Sequence, residues 1–215
     1  MEFEILSDCK LFEGFSENEI EYLIEKMDGR KKHFDKGSYI YTLGEKIHSM
    51  GLVLKGSVMI EKIDYWGNRN IIAKNDVGDV FAEVYACCPE EPLMVNVISD
   101  SDSEILFLNI KKLMNGSDVI SVKMTNRIIK LIARKNLVLS RKINDISPKS
   151  IRERLMSYFS YCTEINKSNK FCIDFNRQEF ADYLCVDRSS LSNELSKMKK
   201  DGLIDFNKNF FVILK

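Results

Sequence analysis

Arg188, Ser189, Ser192, Asn193 and Lys197 fall on one side of a predicted helix over residues 188–200, whose other side carries Leu191, Leu195 and Met198 at spacings of four and three. The apolar stripe must be buried, so the polar side faces outward. Its side chains suit the reading of base edges: Arg can donate to guanine O6 and N7 together, and Asn can pair with adenine N6 and N7. Asp187 is a candidate N-cap for this helix, and the turn Cys185-Val186-Asp187 separates it from a shorter helix over residues 177–184. Asn176, with Glu179 three residues later, is a capping-box pattern for that first helix. Small Ala181 permits a close crossing, and Val186 and Leu191 fill the angle between the two. The pair reads as a helix-turn-helix, in which the N-terminal residues of the second helix enter the major groove, so Arg188, Ser189 and Asn193 are the candidates for direct readout. Arg177, Gln178, Ser190 and Lys197 are better placed for phosphates, which fix register without carrying sequence.

The elements around the pair complete a module. After Asp201-Gly202, residues 203–206 and 210–214 are short β-runs joined by Asn207-Lys208-Asn209, a hairpin signal, and residues 171–175 read as a strand leading in. Arg177-Gln178-Glu179, Arg188-Ser189-Ser190 and Lys200-Asp201-Gly202-Leu203-Ile204 resemble the winged-helix signature of the CRP/FNR superfamily of bacterial transcription regulators. That family often has Glu where this chain has Ser189 and a second Arg where it has Asn193, so its usual half-site is not implied. Cys185 stands where many such turns carry Gly for a positive φ, at a modest conformational cost.

From residue 31 to about residue 110 the periodicity shortens, with Gly37, Gly44, Gly51, Gly56, Gly67 and Gly78 at regular breaks between β-rich pieces at residues 39–43, 51–54, 58–63, 70–73 and 104–108. Many short strands with Gly turns predict a roll or barrel. Phe34-Asp35-Lys36-Gly37, Val53-Leu54-Lys55-Gly56-Ser57-Val58 and Val77-Gly78-Asp79 are similar to a cyclic-nucleotide-binding-type β-roll. In nucleotide-binding members a Gly-Glu pair meets ribose, and an Arg followed by Ser or Thr ten residues after the Glu grips the cyclic phosphate. This chain has Ala82-Glu83 and then Leu93-Met94, with no Arg between Arg69 and Arg127. A buried phosphate without its cation is costly, so the effector expected here is not cyclic AMP or GMP.

The resemblance implies an effector pocket lined by Glu83, Tyr85, Cys87, Cys88, Leu93 and Met94. Such a lining suits an uncharged or apolar small molecule. Cys87 and Cys88 have a second reading as redox-sensing thiols, but no Lys, Arg or His lies beside them in sequence to lower a thiol pKa, which favours small core-filling residues.

Residues 117–144 form the longest helical stretch, with Ser117 as the expected N-cap. Val122, Thr125, Ile129, Ile132, Asn136, Leu139, Ile143 and Ile146 follow alternating spacings of three and four, a heptad seam that calls for a partner helix. The resemblance implies a parallel homodimer with Asn136 facing its twin. A second stripe, Ile128, Leu131 and Val138, is expected to cover the roll. Pro148 should end the long helix nearby and open the next one, residues 149–161, whose Ile151, Leu155, Tyr158 and Phe159 make one face. A short amphipathic helix, capped by Ser16 with Glu19, precedes the roll.

The 215 residues carry 32 basic and 32 acidic side chains, unevenly spread: residues 1–110 hold 11 against 21, residues 111–146 hold 9 against 2, and residues 147–215 hold 12 against 9. A polyanion should therefore meet the rear half. No signal peptide and no membrane-length apolar run are seen, so a cytoplasmic protein without membrane partners is expected. The six cysteines lack paired Cys-x-x-Cys spacing, and His33 and His48 lie in no ligand pattern, so neither a metal site nor a cofactor is expected. No arrangement of nucleophile, base and orienting group suggests an enzyme.

The expectation is an α+β chain: an N-terminal double-stranded β-helix, or jelly-roll, sensor domain over residues 1–110, a long dimerisation helix and hinge over 111–146, and a C-terminal winged helix-turn-helix over 147–215. Its partners would be double-stranded DNA, a second copy of itself, an unidentified small-molecule effector and, for a regulator of this kind, RNA polymerase. The rival reading is a ligand-binding or thiol-redox sensor module whose signalling does not depend on direct DNA contact.

Overall fold

Three helices of this protein begin with the same four-residue device. In the computed structural model, which describes residues 2–63, 69–114 and 116–214, α1 (Glu2–Asp8) is followed by α2 (Glu17–Lys26), where the Ser16 hydroxyl accepts from the Glu19 N–H and the Glu19 carboxylate accepts from the Ser16 N–H. Two of the four orphan donors of a helix start are satisfied reciprocally in this way. The same box recurs at Ser150/Glu153 and Asn176/Glu179. Gly67 and Lys215 lie outside the described residues.

The strands of the first unit, Met1–Ala133, are β1 (Arg30–Phe34), β2 (Tyr39–Tyr41), β3 (Ser49–Lys55), β4 (Val58–Ile63), β5 (Arg69–Asn75) and β6 (Val80–Phe81), then, after the short α3 (Glu83–Cys87), β7 (Asn96–Ser99) and β8 (Ser103–Asn109). They form two antiparallel four-stranded sheets, ordered β1-β8-β3-β6 and β2-β7-β4-β5. Because side chains alternate along a strand, β3 serves two cores at once. Met50, Leu52 and Leu54 join Leu106 and Leu108 of β8 against Phe12, Ile20, Leu23 and Met27. Val53 points the other way, to join Phe34, Ile40, Val58, Phe81, Val97 and Ile105 in a second core. This is the jelly roll that the glycine-punctuated strands predicted.

After α4 (Ile110–Met114) comes α5 (Val119–Ile146). Its start differs from the Ser117 cap expected: Asp118 caps it, accepting from the Ser121 N–H at 2.9 Å while pairing with the Lys26 ammonium, so the stronger acceptor takes the cap. Met124 and Ile128 are buried in the first unit's helix-side core, with Leu131 and Ile132 partly so. Val138, expected to share that burial, is instead 67% exposed, two turns beyond the last half-buried positions of the stripe.

The second unit, Arg134–Lys215, contains α6 (Ile151–Asn166), β9 (Lys170–Cys172), α7 (Arg177–Tyr183), α8 (Arg188–Lys200), β10 (Ile204–Asn207) and β11 (Phe210–Ile213). Pro148 does not open α6; the Ser150/Glu153 box does, and it moves the start to Ile151. The strands form one antiparallel sheet, β10-β11-β9. Its core joins Leu155 and Phe159 of α6, Phe180, Ala181 and Leu184, Leu191, Leu195 and Met198 of α8, and Phe171, Ile204 and Phe211 of the sheet. Among the described residues no helix is long and apolar enough to cross a membrane.

Candidate nucleic-acid interface

The α7–α8 corner is built by local chemistry. Asn176 Oδ1 accepts from the N–H groups of Gln178 and Glu179 at 2.9 and 3.0 Å, and the Glu179 carboxylate accepts from the Asn176 N–H at 2.7 Å. Between the helices Cys185 takes φ +54°, so the residue in the glycine-favouring position does adopt the left-handed conformation. Asp187 then caps α8, accepting from the Ser190 N–H and from the hydroxyls of both Ser189 and Ser190. Those bonds, led by the one from Ser189, hold the Asp187 carboxyl below the usual carboxylate range. The Ser189 hydroxyl donates to Asp187, which leaves its oxygen with acceptor capacity only.

Arg188, Asn193 and Lys197 are exposed on the face opposite buried Leu191, Leu195 and Met198, and Ser192 is half-buried beside them. Among the described residues, none accepts a hydrogen bond from the Arg188 or Asn193 side chain. Both heads are free to meet a ligand. Gln178 is exposed but donates to Asp182 at 2.9 Å. Arg177 is less free than the sequence suggested: its guanidinium lies 5.5 Å from the Phe206 ring centre and 5.8 Å from that of Phe211, and donates to the Lys208 carbonyl at 3.1 Å. Burial, and secondarily the charge of Arg188, lowers its pKa. Arg177 therefore ties the first helix to the β10–β11 wing.

Three ionic groups that fix this corner escaped the sequence reading. Arg152 of α6 donates to Glu194 at 2.6 Å and reaches Asp201 at 2.8 Å, spanning α8 from its middle to its end. Arg154 donates to the carbonyls of Pro148, Leu184 and Cys185 at 2.9, 2.9 and 3.3 Å, clasping the turn. Asp145 is wholly buried among Arg141, Ser157 and Tyr183. The signal for the first two was only an Arg-Glu-Arg run on an amphipathic helix, which ordinarily marks a solvated face.

In the β-roll, Ala82 holds φ +59° directly before Glu83, so the alanine keeps the left-handed conformation that Gly would take more cheaply. The rings of Phe34, Tyr41, Phe81 and Phe107 meet edge to face within the inter-sheet core, with centroids 5.7 to 6.4 Å apart. Burial raises the Tyr41 phenol pKa well above its ordinary value. Aromatic rings thus occupy the interior of the roll.

Comparison with known proteins agrees with both halves of this architecture. Residues 31–116 match the cyclic nucleotide-binding domain and residues 153–215 the Crp-like helix-turn-helix domain. The chain belongs to the CRP/FNR family of transcription regulators. Electron transport regulator A of Shewanella oneidensis is 21% identical over 202 residues, covering 92% of this chain and 79% of that protein. Among solved structures, CprK in complex with OCPA has the same fold with a TM-score of 0.63 at 16% identity, covering 93% of this chain and 92% of that one. The Thermus thermophilus catabolite activator protein gives 0.52 at 16% identity, covering 95% and 93%.

Within this CRP/FNR chain the residues expected to line an effector pocket are dispersed in exposure. Glu83 and Leu93 are buried, Tyr85 and Cys87 half-buried, and Cys88 and Met94 exposed. The Tyr85 hydroxyl accepts from the Met94 N–H at 3.4 Å, linking the two ends of the segment. Burial, then the neighbouring Cys88 and Glu83, pushes the Cys87 thiol pKa up, away from the thiolate a redox sensor needs. Along α5, Val122, Ile129, Asn136, Leu139 and Ile143 are exposed, whereas Thr125 and Ile132 are half-buried.

Proposed function

We propose that this family member is a homodimeric, sequence-specific DNA-binding regulator acting on a near-palindromic operator in the cytoplasm, under an effector that is not a cyclic nucleotide. The observation that carries the reading is the outward face of α8, where Arg188 and Asn193 are exposed with unengaged donors while the opposite face is fully buried. Arg188, Ser189 and Asn193 would read bases, and Gln178, Ser190, Ser192 and Lys197 would border or contact the backbone. Arg177 would contribute through the wing it holds, with any phosphate contact coming from that position.

Dimerisation is supported by a row of exposed apolar residues on α5, with Val122, Ile129, Leu139 and Ile143 each about half or more exposed. A row of this kind on a 28-residue helix would suit the seam of a two-helix coiled coil. Residues 1–110 would act as the sensor, 111–146 as the dimer helix and hinge, and 147–215 as the reading head. Glu83, Tyr85, Cys87, Cys88, Leu93 and Met94 would bound the effector site, and RNA polymerase would be met at the promoter.

Selection from fragmented genomic DNA by the purified full chain tests this reading, with parallel arms containing cyclic AMP and a reductant. An enriched near-palindrome that does not respond to cyclic AMP is the expected result. Enrichment only with cyclic AMP would overturn the effector assignment, and a reductant-dependent site would transfer the sensing role to the thiols.

A further inference from the structure

Residues 134–150 run from the exposed middle of α5 through its end and into the corner before α6. Asp145 is the only one of them that is buried, and none of their side chains belongs to the apolar core of the second unit. Apolar packing therefore does not set the angle between the end of α5 and the helix-turn-helix. What the end of α5 offers instead is a carboxylate with no exposed surface, met from three helices. Arg141, one turn back, donates Nε–H to Oδ2 at 3.2 Å and places Nη2 2.7 Å from Oδ1. Ser157 of α6 donates its hydroxyl to Oδ1 at 2.9 Å, and Tyr183, the last residue of α7, donates its own to Oδ2 at 2.9 Å.

The partners are themselves fixed. Arg141 donates to the Ser157 carbonyl at 2.6 Å and lies 4.1 Å from the Tyr161 ring centre, while Tyr183 packs edge to face on Tyr158. Arg154 clasps the next two carbonyls after Tyr183 and returns to Pro148, so the same end of α7 is held twice from the corner. Hydrogen bonds are directional and a buried charge tolerates no loss of donors, so this arrangement specifies one angle where a greasy contact would allow many.

We infer that Asp145 and Tyr183 form a polar latch that holds the reading head at one angle to the end of α5 and thereby sets the half-site spacing the dimer accepts. The second clause rests on the dimeric DNA-binding reading above. Two heads carried on paired helices meet the major groove one turn apart only at a fixed angle. A head as long as the 13-residue α8 spans about 20 Å, so a swing of about 10° moves its tip by about one base-pair step. Both residues act as positioning residues: neither needs to touch DNA.

The test compares the full chain with Tyr183→Phe and Asp145→Asn. Spin labels are introduced as non-natural residues at positions 140 and 200, and the labelled chain is diluted into excess unlabelled chain so that only distances within one protomer are read. The wild-type distance distribution should be narrow, and both variants should broaden or shift it. On the selected operator, changing the spacer by one base pair should weaken wild-type binding by about tenfold or more, the order of a lost specific contact, and weaken the variants by less than about threefold. Affinity for an isolated half-site and its salt dependence should stay unchanged, which general loss of structure would not allow. Tyr183→Phe removes a single hydroxyl and keeps the test open if Asp145→Asn does not fold. Unchanged distance distributions in the variants would overturn the latch. Broadened distributions with wild-type spacing discrimination would overturn its role in spacing. A wild type that selects no DNA but whose distribution broadens in the variants would keep the latch and remove the DNA reading, and the spacing role with it.

Discussion

The ring of Phe81 occupies the space in which a Cβ on residue 51 would lie: an added methyl at Gly51 would overlap the Phe81 ring at Cζ, Cε1 and Cε2. Gly51 and Phe81 are register partners on β3 and β6, and the Phe81 ring is buried in the inter-sheet core, so it can make room only by displacing its packed neighbours. Gly51→Ala should therefore destabilise the first unit by about 1–3 kcal/mol, the usual cost of overfilling a packed core. Thermal or denaturant unfolding checks this, and adding Phe81→Leu should recover part of the loss. Equal stability of Gly51→Ala and wild type would contradict the packing.

Arg188→Ala should relax specificity at one operator position at a cost of about 1–3 kcal/mol on the preferred base, leaving binding to other sequences nearly as before. Lys197→Ala should weaken all sequences alike and reduce the dependence of log K on log salt by about one unit. Titrations of single-base operator variants at several salt concentrations separate the two. Unaltered specificity in Arg188→Ala would remove that residue from the base edge.

A charge placed on the exposed apolar row of α5 should separate the protomers. Ile129→Asp and Ile143→Asp are each expected to raise the dimer dissociation constant by about 100-fold or more, because an unpaired carboxylate would be buried in the seam. Sedimentation over a concentration series reads this directly. Neither position is buried within one chain, so helix content should be retained.

Asp118 gives a pH dependence whose sign is fixed. Lys26 first, then the Ser121 hydroxyl and N–H, hold its carboxyl below the ordinary value of 3.8. A lowered carboxylate pKa contributes stability that is fully present above the unfolded value and lost as pH falls through the folded one. Asp118→Asn should melt earlier than wild type at neutral pH, and the difference should shrink as the pH falls below the ordinary carboxylate value, where the unfolded chain takes up a proton that the folded carboxylate resists. A gap that stays constant down to pH 2 would argue against the ionic pairing.

Much of the architecture could be read from local patterns. Glycine-spaced strands gave the roll, the Leu191, Leu195 and Met198 stripe gave the recognition helix, and Asn176 with Glu179 gave its partner. What was not legible depends on distance in the chain. α3 and α4 have five residues each, too short for a helical period to declare itself. β7, Asn96–Ser99, is buried at every position, so its residues do not alternate. Val138 continued the apolar spacing of Ile128 and Leu131, but spacing cannot tell where the packed surface ends. Arg177 looked like a phosphate contact because its type and place suit one. Only the fold brings Phe206, Phe211 and the Lys208 carbonyl to it, from about thirty residues away. Asp145 is the sharpest case, since an Asp near a helix end beside Asn and Ser has every mark of a solvated residue.

The three capping boxes have a kinetic side as well. In each of Ser16/Glu19, Ser150/Glu153 and Asn176/Glu179 the bonds that start the helix join residues three apart, so they can form before any strand has found its neighbour. Closing so short a loop takes well under a microsecond, whereas pairing β3 with β8 must wait for about fifty residues to be gathered in. As the chain leaves the ribosome, Ser16 can therefore fix its helix while β8 is still unmade, and the two later boxes can order their helices without waiting for the roll to close. The slow step in the birth of this protein should be the closing of its β-roll.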